Sequence, residues 1–306
     1  MTAHVRIVKT SFFLFVVLFG ILVPAAAADA DEAWIQELLK EREQKDDEFK
    51  TSLTSPMAGS ERLILSGTER MFITLRDGAV VADARAGAGT VFAVFFREGK
   101  WYWDGAVGGV TCRLAERDIA QRLEALLPGA LFRVGRFTLA VYPGGDSLAL
   151  IVFDGQRREL LDFKHLLYFP PAPLYAVKAR LEKFPETREV KIITTRKLEK
   201  TFYRYARVRF QLQGRELELT ALKSSLDGPE AQTLFIPFKD MSNGRETYEV
   251  GRFLDAPEPQ GEEFVLDFNR CYNPLCNYSP AYNCPLPPLE NFLDVAIPAG
   301  EKAYPH

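Results

Sequence analysis

Alternation of apolar and polar residues with a period of two runs through most of this chain. In "RVRFQLQGRELELTAL", Val208, Phe210 and Leu212 alternate with Arg207, Arg209 and Gln211. The chain turns at Gly214, and Leu217 and Leu219 resume the pattern. This is the period of a half-buried antiparallel hairpin. "VFAVFFREGKWYWDG" predicts a second hairpin around Glu98-Gly99, and "ALFRVGRFTLAVYPGGDSLALIVFDG" a third around Gly144-Gly145-Asp146. "RLILSG", "RMFITLRDG" and "AVVADARAG" read as short strands closed by glycine, and "TLFIPF", "TYEVGRFL", "EEFVLDF" and "FLDVAIP" supply more towards the end.

Two stretches carry a helical period instead. From Asp31 to Lys50, Trp34, Ile35, Leu38 and Leu39 form one apolar face. The following residues are nearly all charged until Phe49, so the helix is expected to dock by its first half. Leu114 to Leu127 places Leu114, Ile119, Leu123, Leu126 and Leu127 at amphipathic spacing and ends at Pro128-Gly129, predicting an internal helix. "YFPPAP", Tyr168 to Pro173, is a stiff connector. The expected architecture is mainly β: a signal peptide over 1–28, a helix and linker over 29–56, and two β-rich units, sandwich or small barrel, over 57–167 and 168–306. No fixed-period repeat or low-complexity tract interrupts them.

The first thirty residues depart from all of this. Arg6 and Lys9 precede an unbroken run from Phe12 to Val23, Pro24 and the alanine-rich stretch Ala25 to Ala30. That order is the plan of a secretory signal cut after Ala27, Ala28 or Ala30. Twelve helical residues rise about 18 Å, short of a bilayer core of roughly 30 Å, so no stable span is expected after cleavage. The mature protein is expected to be extracytoplasmic, periplasmic or secreted from a bacterial cell, where disulfides form. Losing Arg6 and Lys9 takes the formal net charge from −3 to −5. Such a balance does not call for nucleic acid or an anionic membrane as partner. The basic run "RKLEKTFYRYARVRF" places Arg207 and Arg209 on one solvated strand face.

The segment "NRCYNPLCNYSPAYNCPLPP", 269–288, holds three cysteines, three tyrosines and five prolines, which rules out a helix and a central strand. With its flanks it resembles the family called Domain of Unknown Function 1684. The motifs are "GRETYEVGRFLD" at 244–255, "LDFNRCYNP" at 266–274, "NCPLPPLENFL" at 283–293 and "IPAGEK" at 297–302. Weaker similarity reaches back to about Arg133, through "VGRFTLAVYPGGDSLALIVFD" and "YFPPAPLYAVKARLEKF". Cys276 and Cys284 match the family, whereas Cys271 stands where that family usually has alanine. The resemblance implies a fold and characteristic residues but no reaction.

Candidate chemistry concentrates in the same region. Cys276 and Cys284, with seven residues between them including Pro280, predict a disulfide in an exported protein, and their spacing does not fit a zinc site. His165 is the one histidine expected inside the fold, and no nucleophile elbow, metalloprotease helix, P-loop or dinucleotide fingerprint occurs, so no cofactor and no metal is expected. A polar cluster remains: Arg252, Asp267, Asn269, Arg270, Tyr272, Asn273, Tyr278, Asn291 and Glu301. Arg252 lies on an apolar strand and requires a carboxylate, for which Asp267 and Glu301 are the expected partners. The cluster is either a hydrogen-bonded frame for the loop or a pocket floored by Arg252 and lined by Tyr272 and Tyr278. The leading expectation is non-catalytic binding of a small polar ligand or cell-envelope partner through this loop. The alternative is a hydrolase using Asp267 with Arg252 and Tyr272.

Overall fold

The computed structural model describes residues 25–67 and 70–305, with side chains from Asp31 onward. The expected leader with its apolar run lies outside the described residues, apart from the helical backbone of its last few. Among the described residues, no helix is long and apolar enough to cross a membrane. Helix α1 runs Ala25–Thr51. It docks along its length rather than by its first half: Leu38 and Phe49 are buried, while Leu39 stays exposed. The charged second half contributes through ion pairs, which a reading of apolar residues alone misses.

Ten short strands follow: β1 (Gly59–Ser66), β2 (Met71–Arg76), β3 (Ala79–Asp83), β4 (Thr90–Arg97), β5 (Lys100–Asp104), β6 (Thr111–Leu114), β7 (Arg117–Asp118), β8 (Leu131–Val134), β9 (Phe137–Gly144) and β10 (Ser147–Asp154). They form two antiparallel sheets, ordered β1-β10-β9-β8-β6-β7 and β3-β2-β4-β5. The sheets share one core, to which Phe92, Trp101 and Trp103 come from one side and Phe132, Leu139 and Leu150 from the other. The β4–β5 hairpin turns at Glu98 and Gly99, both with positive φ, a geometry that matches strand twist.

The helix expected over Leu114–Leu127 does not form. Ala115 and Arg122 have positive φ (51° and 60°), and the amides of Ile119, Arg122 and Leu126 donate to Cys112, Trp103 and Trp101 on neighbouring strands. Ile119 and Leu126 plug the sandwich core, whereas Leu123 is 82% exposed. Their helical spacing is a coincidence of pins set along an irregular strap. The short helix of this unit is α2 (Arg158–Leu161).

A third antiparallel sheet follows the connector: β11 (Ala176–Ile193), β12 (Glu199–Leu212), β13 (Arg215–Lys223), β14 (Thr233–Phe238), β15 (Arg252–Pro257) and β16 (Glu263–Asp267), in the order β15-β14-β13-β12-β11-β16. One face carries Val208, Phe210, Leu234 and Ile236, covered by Leu293, Val295 and Ile297. The covering segment was expected as a strand; its residues alternate in burial but join no ladder. Its amide and carbonyl contacts go to the loop after β14, at Lys239 and Met241. The other face carries Ile192, Phe202 and Leu222, with Val190 and Phe235 beside them.

The 269–288 loop sits where these parts meet. Ala281 and Tyr282 pack on Ala58, just before β1, and on Ala140, Ile151 and Phe153 of the first sheet. Tyr278 packs with Phe49 of α1 and with Phe163 and Leu166. The Ser279 hydroxyl donates to the Gly59 carbonyl at 2.7 Å. Five prolines make the loop stiff enough to serve as a wedge.

Candidate functional site

Most of the predicted polar cluster is spent on holding the loop. Arg252, the first residue of β15, is fully buried. Its partner is neither Asp267 nor Glu301. Nη2 donates to Asp240 Oδ2 at 2.5 Å and to the Ile297 carbonyl at 2.8 Å, and Nη1 donates to the Ala299 carbonyl. Asp240 lies two residues past the end of β14, and Phe238 is the strand partner of Arg252, so the hairpin itself delivers the carboxylate. The turn after β14 fixes it, since Asp240 Oδ1 accepts from the Ser242 amide at 2.6 Å. The signal was available: "DMS" is an Asp-x-Ser turn sequence at the mouth of the same hairpin.

Asp267 ends β16 and accepts from four donors. Oδ1 takes the Asn269 amide and Nδ2, both at 2.9 Å, and Oδ2 takes Trp34 Nε1 at 3.0 Å and Arg270 Nε at 3.2 Å. Asn269 in turn clamps the connector, exchanging two 2.9 Å hydrogen bonds with the Ala172 backbone. Asn291 does the same for the sheet, accepting from the Thr220 amide at 2.7 Å and donating to the carbonyls of Thr220 and Pro237. Glu301 accepts from Lys45 Nζ and the Tyr278 hydroxyl, each at 2.6 Å, and from the Asn273 amide at 2.7 Å. The Asn273 side chain donates to the Lys302 carbonyl at 2.7 Å, and Arg270 pairs with Glu41 of α1. Helix α1 thus lies across the cluster, leaving beneath it a cavity of about 80 Å³, too small for an organic ligand. The three residues of the hydrolase reading are engaged separately: Asp267 with its four donors, Arg252 with Asp240, and Tyr272 with Asp255. His165 is exposed, with Nδ1 3.0 Å from the Leu166 carbonyl oxygen.

Tyr272 is the member of the cluster that faces usable space. A groove of about 480 Å³ runs between the second face of the third sheet and the loop. Phe202 and Phe235 stack at 5.3 Å, Phe235 meets Phe253 edge-on at 4.9 Å, and Phe253 meets Tyr272 edge-on at 5.9 Å. Leu275, Tyr282, Cys284 and Pro285 close the loop side. At one end the Tyr272 hydroxyl donates to Asp255 Oδ2 at 2.7 Å. Asp255 is open to solvent at the mouth, yet its crowded surroundings raise its carboxyl above the ordinary value, against the Tyr272 hydrogen bond and the charge of Lys45. Sequence reading missed Asp255, although it closes the motif "GRETYEVGRFLD"; its strand partner Phe235 places it among the aromatics. A larger depression of about 790 Å³ lies on the outer face of β11–β13. Arg209 pairs there with Glu182 and Glu218, and Arg180 with Glu262, and this open, charged face lacks the aromatic walls of the groove.

The four cysteines are free thiols, so the expected disulfide is absent from this structure. Cys276 and Cys284 are nevertheless neighbours: the Cys276 amide donates to Cys284 Sγ at 3.3 Å, and the Tyr248 hydroxyl lies 3.7 Å from Cys276 Sγ. Hydrogen bonding from Cys284 and Tyr248 outweighs burial and brings the Cys276 thiol down to about 7, while Cys284 is pushed up. Cys112 and Cys271 are buried in separate places, one in each main core.

Fold and site together define a β-sandwich joined to a six-stranded sheet, with an aromatic groove beside a proline-rich loop. The model of the family described as "Protein of unknown function (DUF1684)" matches residues 161–302, and that stretch of the chain belongs to the family. The match covers the connector, the third sheet and the loop, and begins later than the resemblance read from about Arg133. The solution NMR structure of an uncharacterized protein of Haloarcula marismortui is similar at 36% identity, covering 47% of this chain and 79% of that one, with a TM-score of 0.41. No curated protein matches the chain.

Proposed function

We propose that this is an exported, non-catalytic binding protein whose small-molecule ligand, or whose cell-envelope partner's equivalent group, lies against the 269–288 loop. The observation that supports it is the groove of about 480 Å³, walled by the loop on one side and a run of aromatic rings on the other. Its size falls within the roughly 300–1,000 Å³ typical of ligand sites, and it combines apolar walls with few polar groups. The lining shifts the expected ligand from polar to largely apolar with a polar end. Export supplies the setting in which Cys276 and Cys284, already adjacent, are oxidised to a disulfide that stiffens the loop wall.

A thermal-shift screen of a small-molecule library on the mature protein tests the binding reading, with Phe235→Trp as the control that fills the groove. The expected result is stabilisation by hits that the Phe235→Trp protein loses while remaining folded. Hits that stabilise both proteins equally would place binding elsewhere. N-terminal sequencing of the extracytoplasmic fraction should find a start between Ala28 and Asp31, and a start at Met1 or Thr2 would refute export. Unreduced mass spectrometry of that material should join the Cys276 and Cys284 peptides.

A further inference from the structure

We infer that the groove selects a monocationic amphipath: a flat, apolar body of two or three rings carrying one amine-type cation, which docks on Asp255. This inference rests on the groove reading above and adds the chemical class of its ligand. Three observations carry it. First, Asp255 is half used: Oδ2 accepts from Tyr272 at 2.7 Å, whereas Oδ1 accepts no hydrogen bond among the described residues. The phenol holds the carboxylate in place through one oxygen, and the exposed residue keeps the other free of a protein donor. Second, the walls favour positive charge. Two of the rings already hold a cation against the negative face of the ring quadrupole, Lys200 Nζ at 5.3 Å from the Phe202 centroid and Lys45 Nζ at 4.8 Å from that of Tyr272, within the roughly 6 Å over which this attraction acts. Third, the charges lining the groove are two carboxylates, Asp255 and Glu230, against one ammonium, Lys200. Lys45 also approaches, 4.8 Å from the Tyr272 ring centroid, but its charge is committed to Glu301 at 2.6 Å. An anionic ligand would face the carboxylates of Asp255 and Glu230. A neutral one would leave Oδ1 to water.

The test uses three isosteric probes on the full chain: 2-naphthylmethylammonium, 2-naphthylmethanol and 2-naphthoate. Titration calorimetry measures affinity, and NMR contacts from the naphthalene protons to the rings of Phe235, Phe253 and Tyr272 report the place of binding. The ammonium probe is expected to bind about tenfold or more tighter than the naphthoate, with the alcohol between, as a charge-assisted hydrogen bond implies. Asp255→Asn should abolish the preference of the ammonium over the alcohol and the naphthoate, with the circular dichroism spectrum confirming the fold. Should that variant not fold, the probe ranking on the unaltered chain decides alone. Equal binding of all three probes in the groove, or tightest binding of the naphthoate, would overturn the cation assignment and leave the groove as a ligand site. No contact from any probe to the groove rings would overturn both.

Discussion

Cys276 is the residue whose chemistry the structure sets most sharply. With its thiol brought down to about 7, half-maximal alkylation by iodoacetamide is expected near pH 7. Cys112 and Cys271, which burial pushes up to about 12 and about 11, should remain unlabelled in the folded reduced protein. Peptide mass spectrometry after a pH series reads this directly, and equal labelling of all four cysteines would contradict it. The buried Arg252–Asp240 pair makes the complementary prediction. Removing either partner leaves an uncompensated charge, so Asp240→Ala or Arg252→Ala should cost about 3–5 kcal/mol by urea unfolding. A loss below about 1 kcal/mol, the range of an exposed pair, would mean the pair is open to water. That Arg252 needed a carboxylate was legible in the sequence, because an arginine amid Phe253 and Leu254 cannot stay unpaired. Which carboxylate was not, because the choice depends on register: Phe238 faces Arg252 across the hairpin, and only that pairing carries Asp240 within reach.

At the scale of elements, hairpins were legible because alternation and turn residues agree, as at Glu98-Gly99 and Gln213-Gly214. The false helix at 114–127 shows the limit of periodicity: isolated apolar pins can mimic a helical face when the backbone's hydrogen bonds go elsewhere. Helix α1 shows the opposite error, since its charged part binds through Glu41 to Arg270 of the loop and through Lys45 to Glu301 beyond it. Phe49, packed edge-on against Tyr278 at 4.9 Å, anchors that half. Phe49→Ala should therefore cost about 3–5 kcal/mol of docking energy. In hydrogen exchange, amides of 31–50 should lose protection while β9 and β10 keep theirs; uniform loss would mean that the helix does not dock as a separate element. Across the third sheet, Glu258 joins Lys183 of β11, Tyr205 of β12 and Lys223 of β13. Burial alone would raise its carboxyl, but these hydrogen bonds win and hold it at about 2. A depressed carboxyl stabilises the fold above its unfolded value of 4.5 and loses that contribution as pH falls towards 2. Urea midpoints should drop across that window, and less so in Glu258→Gln.

For the whole molecule, the proline-rich loop was recognisable as special from composition, but its place between two β units and a helix was not, because no local pattern encodes which surfaces it touches. Gly300 measures how tightly this junction is closed. Its φ is +71°, and a Cβ there would collide with Cys271 and with the carbonyl of Phe268. Gly300→Ala should lower stability by well over the roughly 1 kcal/mol of an ordinary glycine substitution, and retention of the urea midpoint would show that the junction has slack. The junction also sets an order of events during synthesis. The side-chain hydrogen bonds that hold α1 span from 120 residues, Asp46 to Leu166, to 256 residues, Lys45 to Glu301. Helix α1 therefore leaves the ribosome well before the residues that complete its docking. Until Tyr278 and Glu301 emerge, Phe49 lacks its edge-on ring and Lys45 its carboxylate, and the helix is only partly held. A chain stalled or truncated before Glu301 would carry two formed β units with their fastening strap still loose, which is the state that chaperones and proteases recognise.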